Sequence, residues 1–365
     1  MSQILQYFSF LLAGTLTLAS CKSDFTRSMA NKPTAMGRIN NVVILCDKSL
    51  AESEIGDIVT QYFEASYPVL TADEPIFDIR YMTVEELNAN TLKRELRTFV
   101  LLADVSDTAS TTTKMLRTDM GEEKFKRAAT DTSYTSTIGQ EKWAKEQIII
   151  YIFGNGREKL AKAIAKNFPN IASRINQHDL KNLSATVYGI QSENKLLSEM
   201  VLQNFGINIK IPGLYQKALQ QDNFLWLRMD NKEINQSLII QKFPYKDKRQ
   251  FDMDNIIKMR NEYGQKYIRT GSDDAYMSTN VIDLPTYEYT YINNGAFVKE
   301  VRGIWETVND FMGGPFVSYL ILNEPKGEVV FIDAFVFAPG KEKRDLVQQL
   351  DCIVKTTSLP VAPKK

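Results

Sequence analysis

A single histidine, His178, occurs among the 365 residues of the chain. Imidazole is the side chain whose unperturbed titration falls near neutral pH, so a Ser-His-Asp or Cys-His mechanism has to run through this one residue. Its setting behind Asn176 and Gln177 reads as a loop or helix start and predicts a solvated side chain instead of a base. Only three cysteines are present, Cys21, Cys46 and Cys352, too few and too dispersed to build a zinc site from thiolates and imidazoles. Cys46 ends an apolar run. Cys352 falls on the side of a helical stretch shared by Asp345 and Gln348, away from its apolar stripe, so two free thiols are expected. Neither a metal nor any other cofactor is implied.

Carboxylates are the other source of acid and base. Asp273 and Asp274 in RTGSDDAYMST, Glu300 and Glu306 in VKEVRGIWETV, and Asp333 in FIDAF are the acids to inspect for a carboxylate-dependent glycan hydrolase. Such an enzyme needs two carboxyls flanking one bond at a set separation. Asp333 is the oddest, because Val329, Phe331, Phe335 and Phe337 share its strand face. It either faces a polar groove or takes a partner such as Arg302. The stretch IIIYIFGNGREKL sets Gly154 and Gly156 between a strand and a helix, where free N–H groups can hold a phosphate. The third glycine of a dinucleotide fingerprint is missing and Lys159 lacks the Walker spacing, so a tight turn without a nucleotide is expected.

Arginine and tryptophan mark a candidate binding surface. In RGIWETVNDFMGGPF, strand alternation puts Arg302, Ile304 and Glu306 on one face and Gly303, Trp305 and Thr307 on the other, with Gly303 leaving a gap beside the indole. Trp226 and Arg228 alternate similarly in FLWLRM. Aromatic and Arg side chains combine contact area with oriented donors, which is what protein or glycan recognition uses. Arg302, Trp305, Trp226, Arg228 and Asp333 therefore form the candidate surface; the alternative places both tryptophans in a core under the closing helix. Tyr287, Tyr289 and Tyr291 in YEYTYIN point one way, as a stacking platform for sugars or as a half-buried sheet face with hydroxyls reaching water.

Cys21 has a chemistry of its own. Residues 4–19, ILQYFSFLLAGTLTLA, carry no charge and are too short and too early for a comfortable membrane span, so they read as the apolar region of a secretory signal. Leu18, Ala19, Ser20 and Cys21 have the form of a bacterial lipobox, in which the thiol receives a diacylglycerol and becomes the first residue of the mature chain. Met1 to Phe10 carries no Lys or Arg, so the terminal amine is the only positive charge there. The alternative is an ordinary cleaved signal that happens to hold a cysteine. Acyl chains contribute roughly 0.8 kcal/mol per buried methylene, so a three-chain anchor is effectively permanent. Lys22, Ser23 and Asp24 resemble the short acidic signals that send some lipoproteins to the outer surface. The expected location is the cell envelope, on the outer membrane, with either face open.

These residues must be positioned by a large core. With 44% hydrophobic and 24% charged residues the chain is globular and long enough for two units. Lys plus Arg equals Asp plus Glu, at 44 each, so no basic field gathers nucleic acid. The expected organisation is a signal over 1–20, a polar tether over 21–40, an α/β layered domain over 41–204, an antiparallel α+β domain over 205–358 and a tail over 359–365. In the first domain, apolar strands 41–46, 75–82, 97–104 and 147–153 alternate with helical stretches at 84–95, 111–130, a segment from 157 and another over 178–204. Ser49 with Glu52 reads as a capping box ahead of a helix whose Ile55, Val59 and Phe63 share a face. In the second, strands 207–213, 224–230, 237–243, 287–293, 298–308, 316–323 and 328–339 surround one helix near 252–266. A helix over 341–356 closes the unit, and the helices are expected on one sheet face. No repeat or low-complexity tract is present.

The segments EIGDIVTQYF with DEPIFDIRY, RGIWETVNDFMGGPFVSYL and FVFAPGKEKRDLVQQLDCIV resemble those of an uncharacterised family of Gram-negative envelope lipoproteins, a domain of unknown function. That resemblance implies location and attaches no catalytic role. The order of elements in the second half is also similar to the PsbP-like fold, whose members are mostly accessory and assembly factors. The expected function is a noncatalytic, membrane-tethered binding or assembly factor that meets an envelope protein or glycan, the alternative being the carboxylate hydrolase.

Overall fold

The computed structural model describes residues 32–360 apart from 190, 272 and 273, so the signal segment, Cys21 and Asp273 lie outside the described residues. The first unit is built on five strands, β1 (Asn41–Leu45), β2 (Asp78–Met82), β3 (Thr98–Asp104), β4 (Ser136–Gln140) and β5 (Ile148–Gly154), in the order β2-β1-β3-β5-β4. All pairings are parallel except that of β4 with β5. Runs such as NVVIL and IIIYIF are apolar on both faces because both faces are covered. Val42, Ile44, Val100 and Ile150 pack with Ile55 and Val59 of α2 (Glu54–Phe63) and Leu160 and Ile164 of α6 (Arg157–Tyr188). Val43, Leu45, Phe99 and Ile149 pack with Leu87 of α3 (Val84–Ala89), Leu116 of α4 (Thr111–Met120) and Phe125 of α5 (Glu122–Thr130).

Three details differ from the sequence expectation. The short helix α1 (Lys48–Ala51) starts at Asp47 without a side-chain cap, and α2 is capped by Ser53, whose hydroxyl accepts from the Ile55 N–H at 3.3 Å. Ser49 and Glu52 therefore form no capping box. The stretch 111–130 is two helices, broken at Gly121, whose φ of +79° favours glycine. Conversely, the segments from 157 and through 178 are one helix of 32 residues that runs through Pro169. Leu160, Ala163, Ile164, Ile171, Ile175 and Leu183 continue one buried stripe across the proline, and that burial outweighs one lost backbone bond.

The second unit is an antiparallel sheet ordered β10-β11-β12-β13-β8-β7-β6, with β9 also paired to β11. Its strands are β6 (Gln216–Gln221), β7 (Phe224–Asp230), β8 (Asn235–Pro244), β9 (Tyr276–Asn280), β10 (Tyr287–Asn293), β11 (Ala296–Val308), β12 (Gly313–Asn323) and β13 (Glu328–Phe337). The helices cover both faces, not one. Against one face lie Leu197, Val201 and Phe205 of α7 (Lys195–Phe205) and Leu346, Leu350 and Ile353 of the closing helix α9 (Arg344–Lys355), packed on Val317, Tyr319, Val330 and Ile332. Against the other lie Ile256 and Tyr263 of α8 (Met253–Tyr267), packed on Val301, Trp305, Phe316 and Phe331. Strands β12 and β13 are apolar on both faces, so each face requires a cover. Helix α7, grouped with the first half in the sequence reading, thus packs on the second sheet. The expected strand 207–213 is irregular backbone that joins neighbours by single bridges, Asn208 with Ser358 and Pro212 with Glu193.

Helix α9 ties the units together. The Glu74 carboxylate accepts from the backbone N–H groups of Lys343 and Arg344 at 2.7 and 2.8 Å, capping the helix from the other half of the chain. Arg344 donates to Asp78 and to the Pro75 carbonyl. Asn40 donates to Asp345 and Gln348.

Candidate functional site

Arg302 is fixed in β11 with its side chain toward α9. It donates to Glu300 on its own strand and to Asp351 of α9, the latter at 2.7 Å. Tyr319 from β12 donates to Asp351, and Tyr291 from β10 donates to Glu300 at 2.8 Å. Burial disfavours the guanidinium's charge, but Asp351 and the surrounding acids outweigh it and hold Arg302 well above its ordinary value. Burial, reinforced by Asp351, keeps the Tyr319 hydroxyl protonated, and burial pushes Tyr67 up to about 12.

This network borders a cavity of about 200 Å³ between the halves, lined among others by Asn40, Tyr67, Asp179, Arg302, Asp351 and Cys352. Asp179 projects from α6, and its Oδ2 accepts from the Asn40 N–H at 2.8 Å while its Oδ1 finds no hydrogen-bond donor among the described residues. Burial raises its carboxyl to about 6, against the pull of that N–H and of Arg97. His178 is not a solvated residue at a helix start: it lies within α6, and burial lowers its imidazole. Its Nδ1 is 3.9 Å from Asp179, beyond hydrogen-bond reach.

Asp333 takes a different partner from the one expected. Its carboxylate accepts from Arg260 Nε of α8 at 3.0 Å and from the hydroxyls of Ser318 and Tyr263. Arg302 lies on the opposite sheet face, toward α9. Arg260 also donates to Thr279 at 3.0 Å and stands 3.7 Å over the Phe316 ring. That ring fills the space expected beside Gly303, where a Cβ would approach Phe316 Cε1 to 2.7 Å. Trp305 is buried under α8, not under the closing helix, and its indole N–H donates to the Val336 carbonyl at 3.2 Å. Trp226 is half-buried, donates to Ser237 at 3.1 Å and carries the Arg228 guanidinium over its ring at 5.2 Å. The five residues of the expected surface therefore split between two faces of one sheet, and three of them, Arg302, Trp305 and Asp333, lie inside networks. Tyr287 and Tyr289 are exposed, whereas Tyr291 is bound to Glu300.

Two of the other acids, Glu306 and Asp274, are also engaged. Glu306 accepts from Asn280 at 2.9 Å, and Asp274 accepts from Asn309. In parallel sheets ligands favour the crevice beyond the carboxyl ends of the strands where the order reverses, here between β1 and β3. Asp47 and Asp104 stand there, a pair the sequence reading passed over although each directly follows or ends an apolar strand. Asp47 accepts from Ser110, Thr111 and Thr112, and Asp104 from Ser106 and from the Gly156 N–H at 2.8 Å. The amide at the glycine turn thus already holds an internal carboxylate. Cys46 and Cys352 are free and buried, and burial drives Cys46 up to about 12. Among the described residues no group of three His, Cys, Asp or Glu side chains is placed to hold a metal ion, and no helix is long and apolar enough to cross a membrane.

Two family models match the chain, each a domain of unknown function: DUF8532 over residues 35–188 and DUF4837 over residues 194–356. Together the two models cover most of the chain. Their meeting point falls between α6 and α7, where the packing passes from the first sheet to the second. No curated protein matches the sequence. Solved structures with some likeness include the Saccharomyces cerevisiae Ran-binding protein Mog1p, at 12% identity and a TM-score of 0.27, covering 42% of this chain and 90% of that one. Another is LpqN, involved in cell envelope biogenesis of Mycobacterium tuberculosis, at 12% identity and a TM-score of 0.26, covering 42% and 82%. Likeness at this level decides nothing about function.

Proposed function

We propose that the two-domain body is held in the cell envelope by a lipid on Cys21 and works there as a noncatalytic binding or assembly factor for an envelope protein or glycan. The lipobox Leu18-Ala19-Ser20-Cys21 supports the anchor. What supports a noncatalytic role is the state of the nominated acids. Glu300 and Asp333 among them, and Asp351 beside the cavity, each accept from an arginine and a tyrosine that engage both carboxylate oxygens, which ties these acids into structural networks.

Metabolic labelling with a palmitate analogue tests the anchor: wild type should label and pellet with membranes, and Cys21→Ser should lose the label and leave the membrane fraction, with uncleaved precursor scored separately. Retention of label by Cys21→Ser removes the anchor. Crosslinking in intact cells followed by mass spectrometry tests the binding role. Release of reducing ends from envelope glycan by the purified chain, abolished by Asp179→Asn or Asp351→Asn in a variant that still folds, replaces it with the hydrolase.

A further inference from the structure

A second cavity, of about 300 Å³, opens at the amino-terminal ends of β1, β2 and β3, between Asn41–Val43, Asp78–Arg80 and Leu96–Thr98. Three arginines border it: Arg38, Arg80 and Arg97. Arg97 is only 8% exposed. Its Nη2 donates to the Ala35 carbonyl at a long 3.4 Å, and its Nε and Nη1 are buried and find no acceptor among the described residues. The neighbouring Thr98 hydroxyl, also on the cavity wall, is buried and has no hydrogen-bond partner among the described residues. Asp78 is the carboxylate of this wall, and both its oxygens are taken by Arg344, at 3.2 and 2.8 Å. Asp179 and Glu146 feel the field of Arg97, but neither accepts a hydrogen bond from it.

A buried guanidinium with unmet donors is costly, and native proteins leave few such groups without a water or ion to satisfy them. The planar fork of arginine matches the oxygens of a tetrahedral oxyanion two at a time. Arg38 and Arg80 are exposed at the rim, free to close over an anion seated against Arg97. Met36, Val42 and Ile79 supply apolar wall beside the charges, so the ligand carries carbon next to its anionic group. We infer that this cavity is an oxyanion site that takes a phosphate group through Arg38, Arg80 and Arg97. A phosphate monoester and the phosphodiester of a lipid headgroup share that chemistry.

The test is calorimetric titration of the detergent-solubilised full chain with inorganic phosphate, glycerol 3-phosphate and glycerophosphoglycerol, the soluble headgroup of phosphatidylglycerol. Saturable binding of at least one is expected, weakened roughly tenfold or more in Arg38→Gln and in Arg80→Gln. Both positions are exposed, so folding is retained even where Arg97→Gln fails to fold. Tighter binding of the monoester assigns a small phosphorylated ligand, and tighter binding of the diester assigns a lipid headgroup; either supports the site. Absence of saturable binding to all three probes, or equal affinity in wild type and both variants, overturns it.

Discussion

Arg260 and Asp333 stand 3.0 Å apart with neither side chain reaching water. The pair is completed by Ser318, Tyr263 and Thr279, so all the charge is answered locally. Removing one partner leaves the other charged and buried. Asp333→Ala should therefore lower stability by about 3–5 kcal/mol, whereas the double replacement Arg260→Met with Asp333→Leu should lose much less. Urea unfolding of the three chains checks this, and a single-variant loss under about 1 kcal/mol contradicts the buried pair.

Gly303 carries the sheet past Phe316 with no room to spare. A methyl there would lie 2.7 Å from the Phe316 ring and 2.9 Å from Thr286 Cγ2. Because Arg260 stacks on that same ring, displacing it also disturbs the charge pair. Gly303→Ala should cost roughly 1–3 kcal/mol through overpacking. Thermal unfolding measures it, with the loss read against wild type under the same conditions.

Glu74 contributes its two hydrogen bonds at the positive end of α9 while belonging to the other half of the chain. Glu74→Ala should cost about 1–2 kcal/mol, and Glu74→Gln less, since an amide oxygen still accepts one bond. Amide exchange at Lys343 and Arg344 should quicken most. Unchanged exchange there would mean that α9 is capped by some other group.

Much of this architecture is legible from local pattern alone. Strands β1, β3, β5, β7, β8 and β11–β13 announce themselves by apolar runs, β10 by its alternating tyrosines, and α9 by its stripe of Leu346, Leu350 and Ile353. Strands β4, β6 and β9 do not, because STIGQ, QKALQQ and YMSTN are polar edge segments whose existence depends on a neighbour's ladder. The two-sided helix cover follows from strands apolar on both faces, a signal present in FIDAFVF but read there as a puzzle about one acid. The partner of Asp333 lies 73 residues away on α8, and no local spacing points to Arg260 rather than Arg302. Arg97 is illegible in the sequence because what sets it apart, donors without an acceptor among the described residues, exists only in the tertiary structure.

Asp179 makes stability depend on pH in a direction opposite to most carboxylates. Its folded carboxyl titrates at about 6, above its ordinary 3.8, chiefly because burial disfavours the charge. Between those values the folded chain holds a proton that the unfolded chain has released, so stability falls as pH rises through this window. Below pH 4 the group contributes nothing, and above pH 6 the full penalty, about 2–3 kcal/mol, is present. Asp179→Asn keeps an oxygen for the Asn40 N–H and removes the charge. The variant should match wild type near pH 4 and exceed it near pH 7. Subtracting the two stability curves cancels every other titrating group. A difference that stays flat from pH 4 to pH 7 would show that Asp179 titrates as an ordinary solvated acid.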